Sequence, residues 1–282
     1  MVTIESAGIS DVGRKREANE DRILIDDAQG LYMVADGMGG HQAGEVASEL
    51  VVKSICDFLG DSGASNGAAR PWARPSPRAE RLLAGIEWSN RVVHRTAAEH
   101  DAYRGMGSTV AAVYFSEDTL IAANVGDSPI YLVRNGKIDL LSVPHTLLAD
   151  LPVDAPVPLM GNILTRAVGS KSAVEADICE LNCFKGDILV ICSDGLSTKV
   201  APAEILAISA AQQPAAACRT LVELANQRGG DDNISAVVLR VTGVRRNPSS
   251  FIGKWVGWMK QRLTSIATGT PPGGGPDAEH HA

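Results

Sequence analysis

Apolar residues in this chain gather in two rhythms. Short, nearly unbroken runs rich in Val, Ile and Ala cover 23–25, 31–35, 109–115, 120–125, 130–133, 188–192 and 234–241, and these predict strands. The run over 188–192, Ile-Leu-Val-Ile-Cys, has no charged member and predicts a strand buried on both faces. Between 42 and 59, Val46, Leu50, Ile55 and Phe58 recur near helical spacing, with Gly60 as a stop. Leu82, Leu83, Ile86 and Val93 mark a second helix over about 78–99, and two more are expected over 203–211 and 215–228. Asp26 to Gly30 reads as a turn, Arg134-Asn135-Gly136-Lys137 as a hairpin, and the Gly-, Ser-, Ala- and Pro-rich stretch 60–77 as a loop. Strands, two helices, strands, two helices and a strand is an α+β order, without the regular alternation of a doubly wound fold.

After Gly243 the pattern changes. Ile252, Val256, Met259, Leu263 and Ile266 line one helical face, with Trp255 and Trp258 beside it, and Gly- and Pro-rich sequence follows from 269. Arg245, Arg246, Lys254, Lys260 and Arg262 against Asp277 and Glu279 leave 244–282 at +3, so 1–243 carries −10. Two regions are expected: a catalytic domain over 1–243, then a basic amphipathic helix with a flexible tail over 244–282. The tail suits an anionic membrane surface, a protein partner or the chain's own core equally well.

Composition narrows the class. With 45% hydrophobic and 21% charged residues the chain is globular, and with only 4% aromatics its core must rest on Val, Ile, Leu and Ala. A net charge of −7 argues against a general grip on nucleic acid. Cys56, Cys179, Cys183, Cys192 and Cys218 form no CxxC pair and read as buried, reduced thiols. No apolar signal segment opens the chain and no run is long enough to span a bilayer, so a cytoplasmic location is expected.

The chemistry lies in where the aspartates fall. Asp36 follows an apolar run and precedes Gly37-Met38-Gly39-Gly40; Asp127 sits inside Val125-Gly126-Asp127-Ser128; Asp194 follows 188–193 and precedes Gly195. Asp231 and Asp232 follow Gly229-Gly230 and lead into the last strand, and Glu20 and Asp21 precede the first. One Asp-Gly after a strand is ordinary turn chemistry. Five such sites suggest hard oxygen ligands for Mg²⁺ or Mn²⁺, with glycine allowing a carbonyl to approach an ion. Gathering that many carboxylates without cations is costly in repulsion and desolvation.

At these residues the sequence resembles the PPM-type (type 2C) metal-dependent protein serine/threonine phosphatases, bacterial branch. The matching stretches are Asp11 to Asp21, Val34-Ala35-Asp36-Gly37-Met38-Gly39-Gly40-His41, Gly105-Met106-Gly107-Ser108-Thr109, Asn124-Val125-Gly126-Asp127-Ser128, Leu164-Thr165-Arg166-Ala167-Val168-Gly169, Cys192-Ser193-Asp194-Gly195-Leu196 and Gly229-Gly230-Asp231-Asp232-Asn233, in family order. The resemblance implies an αββα sandwich of two antiparallel sheets flanked by helices, with the metal centre at one edge. It implies that Asp36, the Gly37 carbonyl, Asp194 and Asp232 hold two Mn²⁺ or Mg²⁺ ions, that Asp21 reaches the cluster directly or through water, and that Asp127 with Asp194 supports a weaker third ion. Arg16, chosen over Arg14, is implied to bind the substrate phosphate. Two such ions lower the pKa of a shared water toward ~7 and so supply a nucleophile at neutral pH, with no protein nucleophile required.

Departures from the pattern are Pro129, where the family usually has Arg, Pro144 before His145, and a short, proline-rich stretch from His145 to Asn162. His41 is read as a structural hydrogen-bonding residue and Cys192 as a core thiol rather than a group near the metals. The expected activity is hydrolysis of phosphoserine and phosphothreonine on proteins, opposing a bacterial Ser/Thr kinase, by a monomer. The alternatives are a catalytically inactive phosphatase fold that binds phosphoproteins, and a phosphatase of small metabolites.

Overall fold

The computed structural model describes residues 2–39, 43–60, 75–151 and 163–245. The stretches 40–42 (with His41), 61–74, 152–162 and 246–282 lie outside the described residues, and with them the sequence readings of a loop at 61–74, of most of the proline-rich stretch and of the amphipathic tail. In chain order the elements are β1 (Val2–Asp11), β2 (Asp21–Asp26), β3 (Leu31–Met38), α1 (Ala43–Gly60), α2 (Pro77–Glu99), β4 (Gly107–Ser108), β5 (Val110–Ser116), β6 (Thr119–Val125), β7 (Ile130–Arg134), β8 (Lys137–Leu140), α3 (Leu147–Asp150), β9 (Asp177–Asn182), β10 (Ile188–Cys192), α4 (Asp194–Ser197), α5 (Pro202–Ala211), α6 (Pro214–Gln227) and β11 (Ile234–Val244).

Two antiparallel sheets form. One runs β1-β11-β10-β7-β8; the other runs β2-β3-β5-β6-β9, with β4 attached to β3. Strand periodicity then builds three apolar layers. Leu31, Met33 and Ala35 of β3 pack against α1 and α2 residues such as Val51, Ile55, Leu82 and Ile86. Tyr32 and Val34, on the opposite face, join Leu189 and Ile191 of β10 and Val237 of β11 between the sheets. Ile188, Val190 and Cys192 face Ile205, Leu221 and Ala225 of α5 and α6. The layering is α-β-β-α, and β10 and the 31–35 part of β3 are apolar throughout because each lies between a helix layer and the opposite sheet.

Local chemistry sets the element ends. Pro77, Pro202 and Pro214 each occupy the first turn of a helix, so these helices begin a residue earlier than their apolar spacing alone predicts. Ser76 caps α2 by accepting from the Ala79 N–H at 3.3 Å. Asn135 and Gly136 adopt φ of 52° and 71°, the left-handed pair that a two-residue β7–β8 hairpin needs.

Three strands have no counterpart in the sequence reading, β1, β4 and β9, and β8 enters it only through the hairpin at 134–137. All are sheet edges or ends. β1 carries Ser6, Ala7, Gly8 and Ser10, so it shows no strong alternation, and it is held by pairing with β11 along its whole length. Gly8 lies where a Cβ would stand 2.9 Å from Ile23 Cδ1, so a small residue there lets β1 cover the core.

Candidate active site

The acidic residues come from the same end of both sheets. Asp21 opens β2 and Asp36 nearly closes β3, and the two are direct partners in that antiparallel ladder. Asp194 follows β10 after Ser193, and Asp232 precedes β11. Asp127 lies in the turn between β6 and β7. Arg16, Glu20, Asp36, Gly37, Asp127, Asp194 and Asp232 line one cavity of about 330 Å³, together with Met38, Thr109, Leu164 and Asn233. Asp21 lies beneath it at 1% exposure, close enough to act electrostatically on Asp36.

Backbone contacts hold this end together. Thr109 N–H donates to Asp36 O at 2.8 Å and the Asp36 N–H donates to Thr109 Oγ1 at 3.0 Å. The Thr109 hydroxyl also meets Ser128 Oγ at 2.7 Å, so one threonine ties the Asp36 strand to the Asp127 turn. Asn233 accepts from the Glu20 N–H at 2.8 Å through Oδ1 and donates through Nδ2 to Val12 O and Ala18 O at 2.9 Å each. That side chain pins the loop carrying Arg16, Glu20 and Asp21 against the start of β11. Gly37 packs closely: a Cβ there would stand 2.0 Å from Gly44 O.

The electrostatics are those of crowded carboxylates. Burial pushes Asp36 well above the usual carboxylate range, with Asp21, Asp194, Asp232 and Asp127 adding to it. Burial carries Asp21 to about 6, with Asp194 and Asp232 contributing. Asp127 also rises to about 6, by burial and then by Asp194. Asp194 is raised by burial and by Asp232, against opposing contacts with Asp36 and the Gly195 N–H. Glu20 is raised by burial, with Arg16 opposing.

Arg16 Nη2 bonds Asp232 Oδ2 at 2.8 Å at the cavity mouth, both side chains remaining partly exposed. Arg14 instead donates its backbone N–H to Gly230 O at 2.7 Å and lies away from the cavity. Asp231 turns to Lys199 and faces solvent. Cys192 is fully buried among the α5 and α6 contacts, as a core thiol.

Among the described residues no three of the acidic side chains are drawn into a closed ligand group; Arg16 engages Asp232 instead. The donor set nevertheless suits divalent cations. Both Asp21 carboxylate oxygens are buried without a hydrogen-bond partner. Ser193 and Ser235 lie near enough to temper its pKa, but the Ser193 hydroxyl donates to Asn233 O and the Ser235 hydroxyl to Ser10 Oγ. A pair of orphaned carboxylate oxygens beneath further carboxylates is a poor arrangement for any neighbour but a cation.

Thr109 and Asn233 form part of this site without a role in the sequence reading, and Glu20 enters that reading only as one of the strand-end acids. Glu20 and Asn233 stand beside Asp21 and Asp232 in the matched stretches, which is the signal that points to them. Thr109 closes the matched stretch Gly105 to Thr109, but nothing local shows its role, which is to bridge two segments distant in sequence.

Comparison with known proteins agrees with this geometry. The family model described as protein phosphatase 2C matches residues 13–236. A protein phosphatase 2C-type protein of Streptococcus pyogenes is 34% identical over 242 residues, covering 82% of this chain and 94% of the relative. Among solved structures, PppA of Pseudomonas aeruginosa superposes with a TM-score of 0.73 at 32% identity, covering 85% of this chain and 99% of that one. The catalytic domain of the serine/threonine protein phosphatase PstP, solved in complex with two manganese ions, gives 0.74 at 30% identity, covering 86% and 100%. With the two-sheet sandwich, the acidic cavity at its end and this agreement over most of its length, the chain belongs to the protein phosphatase 2C family.

Proposed function

We propose that this protein is a metal-dependent protein serine/threonine phosphatase that removes phosphate from phosphoserine and phosphothreonine in proteins. The observation that carries the reading is the convergence of four aspartates from both sheets, Asp36, Asp127, Asp194 and Asp232, on one cavity, with the oxygens of a fifth, Asp21, orphaned beneath it. Asp36, the Gly37 carbonyl, Asp194 and Asp232 are the groups that would hold two Mn²⁺ or Mg²⁺ ions, with Asp21 supporting them from below. Asp127, across from Asp194, would hold a weaker third. Ions at such a set supply Lewis-acid polarisation of the phosphoryl group and a nucleophilic water at neutral pH.

The chain's own residues do the rest. Arg16 stands at the mouth, where its planar fork can leave Asp232 for two phosphoryl oxygens and orient the phosphorus for in-line attack. Met38 and Leu164 are the apolar lining residues and offer no proton, so departure of the serine or threonine oxygen is assisted by water.

The expected setting is opposition to a Ser/Thr kinase in the cytoplasm, by a monomeric catalytic domain over 1–243 with a basic tail for a membrane surface or a partner. Among the described residues no helix is long and apolar enough to cross a membrane. The test is hydrolysis of a phosphothreonine peptide with Mn²⁺, with and without chelator, by wild type, Asp36→Asn and Asp194→Asn. Loss of a stabilising charge at the reacting phosphoryl group is expected to lower turnover by roughly 100- to 1,000-fold in each variant. Bound Mn²⁺ with no turnover of any phosphopeptide would establish a binding module, and preference for sugar phosphates a metabolite phosphatase.

A further inference from the structure

Beside the acidic cavity lies a buried histidine outside the ligand set. His145 is 2% exposed and grips one residue, Gly126, from two sides. The His145 N–H donates to Gly126 O at 3.0 Å, and the Gly126 N–H donates to His145 Nδ1, also at 3.0 Å. Gly126 itself is held at φ 97°, a conformation that disfavours any side chain, and a Cβ there would stand 2.6 Å from Thr109 Cγ2. The next residue is Asp127.

The hydrogen bonds decide the imidazole's form. Nδ1 accepts a backbone N–H, so it must present a lone pair, and the ring hydrogen belongs on Nε2. Nε2 lies 2.6 Å from Asp177 Oδ2, which accepts that hydrogen. Arg166 Nη1 donates to the same Asp177 oxygen at 3.1 Å. Its 3.4 Å approach to His145 Nε2 brings two donors together and is no bond. Asp177 is fixed in turn at the start of β9, paired with Asn124 of β6, whose side-chain amide bonds both the N–H and the C=O of Val143. The His145 carbonyl accepts from Thr165 N–H at 2.9 Å, which sets the segment bearing the cavity residue Leu164.

We infer that His145, held as its neutral Nε2–H tautomer by Asp177 and Arg166, is a positioning residue that sets the Gly126–Asp127 turn and so places the Asp127 carboxylate for its cation. The inference rests on the reading of Asp127 as a ligand for the weaker divalent ion. Through Asp177 and Arg166 it assigns to a second layer of side chains the placement of that carboxylate, in the way that outer-shell partners orient metal ligands. Thr109 holds the same turn from the other side through Ser128.

The experiment is calorimetric titration of the metal-free full chain with Mn²⁺, comparing wild type, His145→Ala, His145→Asn and Asp127→Asn, alongside a long-range ¹H–¹⁵N spectrum of wild-type histidines at neutral pH. An Asn oxygen at 145 can still accept the Gly126 N–H. His145→Ala is expected to weaken the low-affinity component by roughly 10- to 100-fold, the usual cost of losing an outer-shell partner, while Asn restores most of it. An unchanged low-affinity component in His145→Ala, with that component lost in Asp127→Asn, overturns the positioning role alone. No change in Asp127→Asn overturns the ligand reading and this inference with it. Should His145→Ala fail to fold, the spectrum decides: the Nε2–H tautomer supports the inference, and an Nδ1–H tautomer or an imidazolium refutes it.

Discussion

Gly37 shows how much of the site depends on single atoms. Its carbonyl is a proposed ligand, and its Cα lies so close to the start of α1 that an added methyl would stand 2.0 Å from Gly44 O and 2.6 Å from Glu20 O. Both neighbours are backbone, so neither can turn aside, and Gly37→Ala must push β3 and α1 apart at the cavity. A misplacement on that scale is expected to lower kcat/KM on a phosphopeptide by roughly 100-fold, with far-ultraviolet circular dichroism unchanged. An unaltered kcat/KM would remove the close approach from the account of the site. Gly37 was legible in sequence because glycine directly after Asp36 signals a tight approach. Thr109 and His145 were not, because neither residue type nor spacing reveals that one side chain bridges segments brought together only by the sheet.

Among elements, the legible ones were those whose burial is symmetric. β10 and the apolar part of β3 are sandwiched between a helix layer and the other sheet, so their sequences are apolar from end to end. Asn135-Gly136 announced the β7–β8 hairpin through its need for positive φ. β1 and β9 are edges, paired on one side, and their small and polar residues carry little periodicity. The inter-sheet clamp at Arg134 was equally hidden. This β7 residue donates from Nε and Nη2 to the two Asp187 oxygens at 2.8 and 2.7 Å and from Nη2 to Asn182 O of β9 at 2.8 Å, joining the two sheets. Asp187 is 2% exposed and also accepts the Phe184 N–H at 2.7 Å. Asp187→Ala removes two charge-assisted bonds from a guanidinium that keeps Asn182 O, a loss of about 1.5–3 kcal/mol, which is roughly a 5 °C fall in Tm for a domain of this size. The clamp lies away from the cavity, so turnover per folded molecule should be retained. A Tm within a degree of wild type would show that the pair contributes little.

At the scale of the whole molecule, the fold brings like charges together and leaves cations to offset them. In metal-free protein, Asp21 and Asp127 each rise from the ordinary 3.8 to about 6. A carboxyl with a raised folded pKa binds its proton more tightly when folded, so stability falls as pH climbs from about 4 to about 6 and the full penalty persists above. For Asp21 this amounts to about 3 kcal/mol. With chelator present, Tm is therefore expected to be higher near pH 5 than near pH 7.5, and Mn²⁺ should raise it most at the higher pH. A chelated protein whose Tm rises steadily from pH 5 to 7.5 would contradict the crowded-carboxylate picture.

By itself the sequence marked a set of strand-end acids as candidate metal ligands, because several carboxylates beside glycines are hard oxygen donors, and it determined the α+β order, because periodicity follows burial. The family resemblance in those same stretches supplied the two-sheet sandwich as an expectation. Only the tertiary structure decided that Asp21 lies beneath the others with both oxygens orphaned, that Arg16 is held by Asp232, and that His145 grips the Asp127 turn. Each of these depends on contacts between segments separated by tens to hundreds of residues. Such contacts are set by how the two sheets stack, and no local pattern records them.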